Sequence, residues 1–143
     1  MIQPLYAVYG ASGCGQGIMP LARIFLEKNG ISLDRLVFVD DVPPSKQSNG
    51  HAVLRYDDFF SSEASVKKVA IAIANGAVRE KLAGRLMNDG IELWSISALN
   101  IIIMDNVIIG EGALLSPFVS LTSNISIGQC FHANLYSYVE HDC

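Results

Sequence analysis

The sequence is short of charge, cysteine and long apolar runs, and each shortage excludes a class of protein. Half of its 143 residues are apolar and only 17% are charged, which excludes a disordered chain. A net charge of −4 provides no basic surface for a nucleic acid. No apolar run approaches the roughly 18–20 residues that a membrane helix needs. Met1 leads straight into a strand-like segment, so we expect no signal peptide.

Three cysteines, Cys14, Cys130 and Cys143, are few and lack paired spacing. They predict neither a disulfide framework nor a zinc site, so we assign no metal ligands. A reducing cytoplasm fits this usage.

Apolar runs alternate with helical patterns over residues 1–97. Residues 5–9, 36–39, 69–74 and 91–96 have the composition of buried strands, residues 53–54 could add a short one, and residues 42–50 form a loop. Helical spacing follows the first and third long runs and ends at Asn29-Gly30 and Asn88-Asp89-Gly90. The alternation predicts a Rossmann-like α/β domain with a parallel sheet of four or five strands.

A glycine-rich turn follows the first strand, where ligands bind to open parallel sheets. Its glycines would let the backbone approach phosphate oxygens beside free N–H groups of the following helix. The order of glycines is not that of the dinucleotide fingerprint, and a tight turn without a ligand remains the alternative. The candidate binding residues in this turn are Gly10, Ser12, Gly13 and Gly15.

Polar side chains also end the next two strands. Asp40 and Asp41 could accept hydrogen bonds from a ribose hydroxyl or a base N–H, or they could form a solvated acidic turn. Asn75 is predicted at the same edge, where it could contact a ligand or cap the following helix.

A six-residue period begins at residue 101. The first place of seven successive hexads is apolar six times, the third place is apolar throughout, and the fourth mostly holds small or turn-tolerant residues. This pattern predicts the flat sides of a left-handed parallel β-helix over residues 98–143, with three hexads to a coil and corners at the fourth place. A β-meander is the alternative. Seven hexads make two and a third coils without a cap, so we expect further coils beyond Cys143.

The whole chain resembles bacterial sugar acyltransferases, the sialic acid O-acetyltransferases of NeuD type and the PglD-type N-acetyltransferases of nucleotide-linked amino sugars. Four segments carry the resemblance: residues 6–15, Phe38-Val39-Asp40-Asp41, Ile73-Ala74-Asn75 with Arg79, and, most specifically, Asn134-Leu135-Tyr136-Ser137-Tyr138-Val139-Glu140-His141-Asp142-Cys143. One departure is Cys14, where the family usually has histidine.

The resemblance implies a homotrimer with active sites between neighbouring β-helices and acetyl-CoA as co-substrate, most of whose site would lie beyond Cys143. His141 matches the general base and Asn134 a residue of the sugar site. Asp142, or else Glu140, would orient the histidine. We read His132 as structural or at the rim.

The acceptor implied by the resemblance is a nucleotide-linked amino sugar, such as a UDP-4-amino-4,6-dideoxyhexose. Sialic acid O-acetylation is the competing activity. A nucleotide-sugar-binding module without catalysis is the alternative of another class.

Overall fold

The computed structural model describes residues 2–143, which fold into an α/β unit followed by stacked short strands. No helix among these residues is long and apolar enough to cross a bilayer. The α-helices are α1 (Gly13–Lys28), α2 (Tyr56–Ser61) and α3 (Gly76–Asn88), and Leu33–Arg35 forms a 3-10 turn. The strands are β1 (Leu5–Tyr9), β2 (Leu36–Val39), β3 (Gln47–Ser48), β4 (His51–Leu54), β5 (Lys67–Ile71), β6 (Glu92–Leu93), β7 (Ile96–Ser97), β8 (Ile102–Ile103), β9 (Val107–Ile109), β10 (Leu114–Leu115), β11 (Ser120–Leu121), β12 (Ile125–Ile127), β13 (His132–Ala133) and β14 (Tyr138–Val139).

The first sheet has the strand order β3-β4-β2-β1-β5-β6. Every neighbouring pair is parallel except β3 with β4. Strand β1 is central and all five of its residues are buried, because helices and connections cover both faces. The Rossmann-like domain is confirmed: five of the strands are parallel, as predicted, and β3 adds a sixth, antiparallel strand at one edge.

The additional strand, β3, lies inside the segment predicted as a loop. Gln47 pairs with Ala52 and Ser48 with His51, in antiparallel register. The connecting Asn49 and Gly50 have φ values of 47° and 81°. Positive φ at both central positions is what a tight two-residue hairpin requires, and Asn-Gly is its usual sequence.

The single strand predicted over residues 91–96 is wrong, because the structure divides it in two. Strand β6 pairs with β5 in the α/β sheet, whereas β7 pairs with β10 in the second part of the molecule. Between them, the Oγ of Ser95 accepts hydrogen bonds from the backbone N–H groups of Gly112 (3.0 Å) and Ala113 (3.1 Å). These bonds turn the chain into the first coil. The domain boundary at 97/98 stays a prediction, although β7, which ends there, already pairs with the coils.

The remaining strands stack in parallel at a spacing of 18 residues. Leu114 lies between Ile96 and His132, and Ser120 lies between Ile102 and Tyr138. Most side chains at the first and third places of the hexads pack into one core, whose buried members are Leu115, Val119, Leu121, Ile125 and Ala133. The predicted left-handed β-helix is confirmed.

The predicted corner position is wrong by two residues. Residues at the fourth place still belong to the ladder: the N–H of Met104 donates to Leu121, and the N–H of Ser116 donates to Ala133. The chain turns at the sixth place, where φ is positive in every hexad. These corner residues are Asn106, Gly112, Phe118, Asn124, Cys130, Tyr136 and Asp142.

Candidate active site

The glycine-rich turn leads directly from β1 into α1. Ser12 is the N-cap of α1, and its side chain makes no capping hydrogen bond. The first N–H groups of an α-helix have no acceptor within the helix, and its N-terminus carries a partial positive charge. Ser12 and Gly13 are exposed. The turn therefore offers unpartnered donors to an anionic ligand, as a phosphate site requires.

Two of the glycines are needed by the turn itself. Gly10 has a φ of 115°, and a Cβ there would lie 2.7 Å from the carbonyl oxygen of Ala72. A Cβ at Gly15 would lie only 1.7 Å from the carbonyl oxygen of Gly10. At Gly13, by contrast, a Cβ would meet nothing within 4 Å. Backbone packing thus explains Gly10 and Gly15, and Gly13 is the position at which a bare backbone faces open space.

Asp40 is joined to this turn by its carboxylate. Its Oδ2 accepts from the backbone N–H of Ala11 (3.0 Å), and its Oδ1 accepts from that of Val42 (2.9 Å). The side chain is half-buried. Asp40 therefore connects the ends of β1 and β2. Its contact with a ribose or a base stays a prediction, and such a contact would use the remaining lone pairs of the carboxylate.

Asp41 belongs to a network on the α3 side of the sheet. The hydroxyl of Tyr9 donates to its Oδ1 at 2.6 Å, and Arg85 Nη1 lies 3.8 Å from the same oxygen. The Arg85 guanidinium in turn lies 3.7 Å from the ring centroid of Tyr56, whose hydroxyl donates to Asp89 at 2.5 Å. Arg85 could not be recognised from the sequence, because its partners Asp41 and Tyr56 come from distant segments.

The two tyrosines of this network have perturbed pKa values. Burial raises the pKa of both hydroxyls, and the hydrogen bonds to Asp41 and Asp89 raise it further, since a carboxylate stabilises the protonated phenol. Tyr9 and Tyr56 therefore remain donors over the physiological range.

Asn75 is the N-cap of α3. Its Oδ1 accepts from the backbone N–H of Val78 at 3.0 Å, so the side chain has the capping role that was one of its two predicted roles. Contact with a ligand remains a prediction, and the amide NH2 group would make that contact.

A cavity of about 480 Å³ lies between α1 and the β-helix. This volume is within the usual range of small-molecule sites, about 300–1,000 Å³. The wall from α1 includes Gly13, Cys14 and Gly17, and the wall from the β-helix includes His132 and Asn134. The structure thus brings together two predicted site residues, Gly13 and Asn134, that are far apart in sequence, together with Cys14 at the position that departs from the family.

Arg79 connects the two parts of the chain and lines a separate cavity together with Gln129 and Cys130. Its Nη1 donates to the carbonyls of Ile73 (2.9 Å) and Ala74 (2.8 Å), and its Nε donates to the carbonyl of Cys130 (3.1 Å). Cys130 is buried and its thiol pKa is raised by burial, which agrees with a packing role.

His141 and Asp142 form a pair on the β-helix. Nδ1 of His141 lies 2.7 Å from Oδ2 of Asp142, and both side chains are exposed. Adjacent side chains in a strand point to opposite faces, but Asp142 is a corner residue with a φ of 60°. The corner allows the contact, so Asp142 is the carboxylate that reaches the ring. The pair does not line the cavity of Asn134; it lies at the next corner of the coil.

Among residues 2–143, no group of three or more His, Cys, Asp or Glu side chains is arranged to hold a metal.

The fold is a Rossmann-like α/β domain joined to a hexapeptide-repeat β-helix. The chain belongs to the family of the PglD N-terminal domain, whose profile matches residues 6–86.

Comparison with known proteins extends this likeness over both parts of the chain. It is 38% identical over 139 residues to a GDP-perosamine N-acetyltransferase of Escherichia coli O157:H7, an alignment covering 97% of this chain and 63% of that protein. WeeI from Acinetobacter baumannii AYE has a TM-score of 0.94 and 49% identity, covering 99% of this chain and 66% of WeeI.

A more distant structure shares the fold. PerB from Caulobacter crescentus, solved in complex with CoA and GDP-perosamine, has a TM-score of 0.76 and 18% identity, covering 97% of this chain and 64% of PerB. This chain therefore spans about two thirds of the length of these relatives.

Proposed function

We propose that the protein containing this chain transfers the acetyl group of acetyl-CoA to the amino group of a nucleotide-linked 4-amino-4,6-dideoxyhexose. The hydrogen-bonded pair His141–Asp142 on the β-helix carries the proposal. The E. coli relative, named as a GDP-perosamine N-acetyltransferase, supports the reaction type, and the CoA complex of PerB supports the co-substrate.

The nucleotide is the part of the acceptor on which the sequence resemblance and the relatives differ. The resemblance implies a UDP-linked sugar, whereas the names of the E. coli relative and of the PerB complex specify GDP-perosamine. We therefore propose the GDP-linked sugar as the first acceptor to be assayed, with the UDP-linked sugar as the direct competitor.

His141 would act as general base in a direct transfer. With Nδ1 at the Asp142 carboxylate, Nδ1–H donates to that oxygen and Nε2 is left as the proton acceptor. Nε2 takes a proton from the sugar amine as its nitrogen bonds to the thioester carbonyl carbon. When the tetrahedral intermediate collapses, the C–S bond breaks and the CoA thiolate takes that proton from His141. Atoms and charge balance without an acyl-enzyme or a metal.

The proposal extends to the assembly. Asn134 lines the cavity and His141 lies at the next corner of the coil. We propose a cytoplasmic homotrimer in which His141 of one protomer faces the sugar site of its neighbour, and in which coils beyond Cys143 hold most of acetyl-CoA.

Replacement of His141 by alanine in the full-length protein tests the proposed base. We expect kcat for the amino-sugar nucleotide to fall by about a hundredfold or more, measured by chromatography of the acetylated product. Glu140→Gln is the matched control, because it alters the neighbouring carboxylate that is not bonded to the ring. Wild-type turnover by His141→Ala would contradict the assignment.

Two further measurements separate the alternatives. Incubation with acetyl-CoA and sialic acid tests the O-acetyltransferase, and turnover of the hydroxyl acceptor alone would refute N-acetylation. Calorimetry with the nucleotide diphosphates and with CoA tests the binding module without catalysis, which tight CoA binding would exclude.

A further inference from the structure

His132 has a fixed orientation beside the cavity. It stands on β13, next to Ala133, which points into the β-helix core, so the imidazole faces the α/β domain. There, Nε2 lies 2.8 Å from the carbonyl oxygen of Ile71, at the end of β5. The ring is half-buried and lines the cavity together with Asn134, Gly13 and Cys14.

The hydrogen bond to Ile71 determines the tautomer. A carbonyl oxygen can only accept, so Nε2 must carry the proton. The pKa of His132 is lowered, first by burial and then by the positive charge of Arg79, which keeps the ring neutral. Nδ1 therefore holds a lone pair, and no donor in the described part of the chain is hydrogen-bonded to it.

The cavity is also in the right place for the acceptor's sugar ring. Gly13 belongs both to the turn that offers donors to phosphate and to the cavity wall. The anomeric carbon of a nucleotide sugar is bonded to an oxygen of the second phosphate, so a diphosphate at this turn places the sugar next to it. The rest of the wall is largely apolar, with Ile18, Leu21 and Leu114, and it suits the methyl group of a 6-deoxy sugar.

We propose that His132 is a specificity-determining residue for the acceptor, and that its Nδ1 accepts a hydrogen bond from a hydroxyl or amino group of the sugar. This inference rests on the proposed function for the identity of the sugar. It assigns His132 a role in recognition beyond the packing role of a rim residue.

Two substitutions separate recognition from packing. The Nε2 of glutamine reaches the same distance from the backbone as the Nε2 of histidine, so His132→Gln keeps the donor to Ile71 and loses the acceptor. His132→Asn does the opposite, because its Oδ1 takes the place of Nδ1 and nothing reaches Ile71. His51→Asn is the matched control, since Nδ1 of His51 contacts the carbonyl of Leu36 at 3.0 Å, the amide nitrogen of asparagine takes the place of Nδ1, and the residue lies outside the cavity.

In the full-length protein, His132→Gln should lower kcat/KM for the amino-sugar nucleotide by about three- to tenfold, the usual worth of one neutral hydrogen bond. The KM for acetyl-CoA and the melting temperature should stay near the wild-type values. His132→Asn should lower the melting temperature and lose less kcat/KM than His132→Gln. If the glutamine variant matches wild type and the asparagine variant is the worse enzyme, His132 is structural and the inference is wrong.

Nitrogen-15 spectra of histidine in the unmodified protein provide a readout of the contact that does not depend on the activity of a variant. The Nδ1 resonance of His132, assigned by its loss in either variant, should move on addition of the amino-sugar nucleotide and stay in place with the nucleotide diphosphate alone. No movement with saturating sugar nucleotide would refute the contact. A shift without acetyl transfer would support the contact and refute the proposed function.

Discussion

Alanine substitutions at Gly13 and Gly15 should change stability in opposite directions, although the two residues lie in the same turn of α1. At Gly15, the new Cβ would lie 1.7 Å from the carbonyl oxygen of Gly10, and it would have to reach at least 3.0 Å, the closest approach of real Cβ atoms. The atom in the way belongs to the backbone of the turn, which cannot rotate aside. We expect Gly15→Ala to cost about 3 kcal/mol or more in the free energy of unfolding.

Gly13→Ala meets nothing within 4 Å, and its backbone is already helical. Alanine restricts the unfolded chain more than glycine does, so we expect a gain of about 0.5–1 kcal/mol. The added methyl group would however stand on the open side of the turn, at the cavity wall. We expect the affinity for the nucleotide sugar to fall by about tenfold, or 1.4 kcal/mol.

Thermal unfolding and calorimetry with the nucleotide sugar, on both variants in the full-length protein, measure the two effects separately. Destabilisation by Gly13→Ala as large as that by Gly15→Ala would refute the distinction between the glycines. Unchanged affinity of a stable Gly13→Ala variant would refute the placement of the ligand at this turn.

Two further predictions concern groups outside the cavity. The pKa values of Tyr9 and Tyr56 are raised in the folded protein, so the native state holds their protons more tightly than the unfolded state does. The stability that these two groups contribute is therefore complete below the ordinary tyrosine pKa of about 10, and it is lost as the pH rises above that value. Urea unfolding from pH 8 to 11 should show this loss of unfolding free energy, and the Tyr9→Phe/Tyr56→Phe variant should show less of it. If the unfolding free energy fell equally steeply with pH in both proteins, the two tyrosines would not be the cause. Arg79→Lys should lower the unfolding free energy by about 2 kcal/mol, since one ammonium cannot reproduce three hydrogen bonds to carbonyls in two parts of the chain. Lys81→Arg, on the same helix, is the control. A melting temperature of Arg79→Lys equal to that of wild type would contradict the stabilising role of these hydrogen bonds.

The sequence was sufficient wherever the controlling forces are local. The burial of β1 and β2 follows from runs of apolar residues, and the β-helix follows from a six-residue period that no helix or hairpin shares. The Asn49-Gly50 dipeptide also held a local signal for the hairpin of β3 and β4, which the polar composition of residues 42–50 concealed. The position of Asn75 before α3 also allowed its capping role to be predicted as one of two alternatives.

The features that sequence could not provide depend on contacts between distant residues. The division of residues 91–96 into β6 and β7 depends on Ser95, whose partners Gly112 and Ala113 lie one coil later. Arg79 and Arg85 act on groups that are remote in sequence. The cavity exists only because the α1 terminus folds against β10 and β13. The hydrogen-bond partner of His132, the carbonyl of Ile71, is likewise remote in sequence.

The corners connect the energetics of the β-helix with its chemistry. A left-handed conformation costs about 1–2 kcal/mol for a residue with a side chain, and Phe118 and Tyr136 both adopt it. Contacts between equivalent corners of neighbouring coils offset this cost. The rings of Phe118 and Tyr136 stack with centroids 4.8 Å apart, and Asn106 donates to Asn124 at 3.0 Å.

The corner at Asp142 uses the same strain differently. In the extended geometry of a strand, its carboxylate would lie on the face opposite His141. At a φ of 60°, the carboxylate instead reaches Nδ1 at 2.7 Å. The turn that closes the coil thus also orients the proposed base, and the pairing of histidine with the following residue depends on the six-residue period that places a corner there.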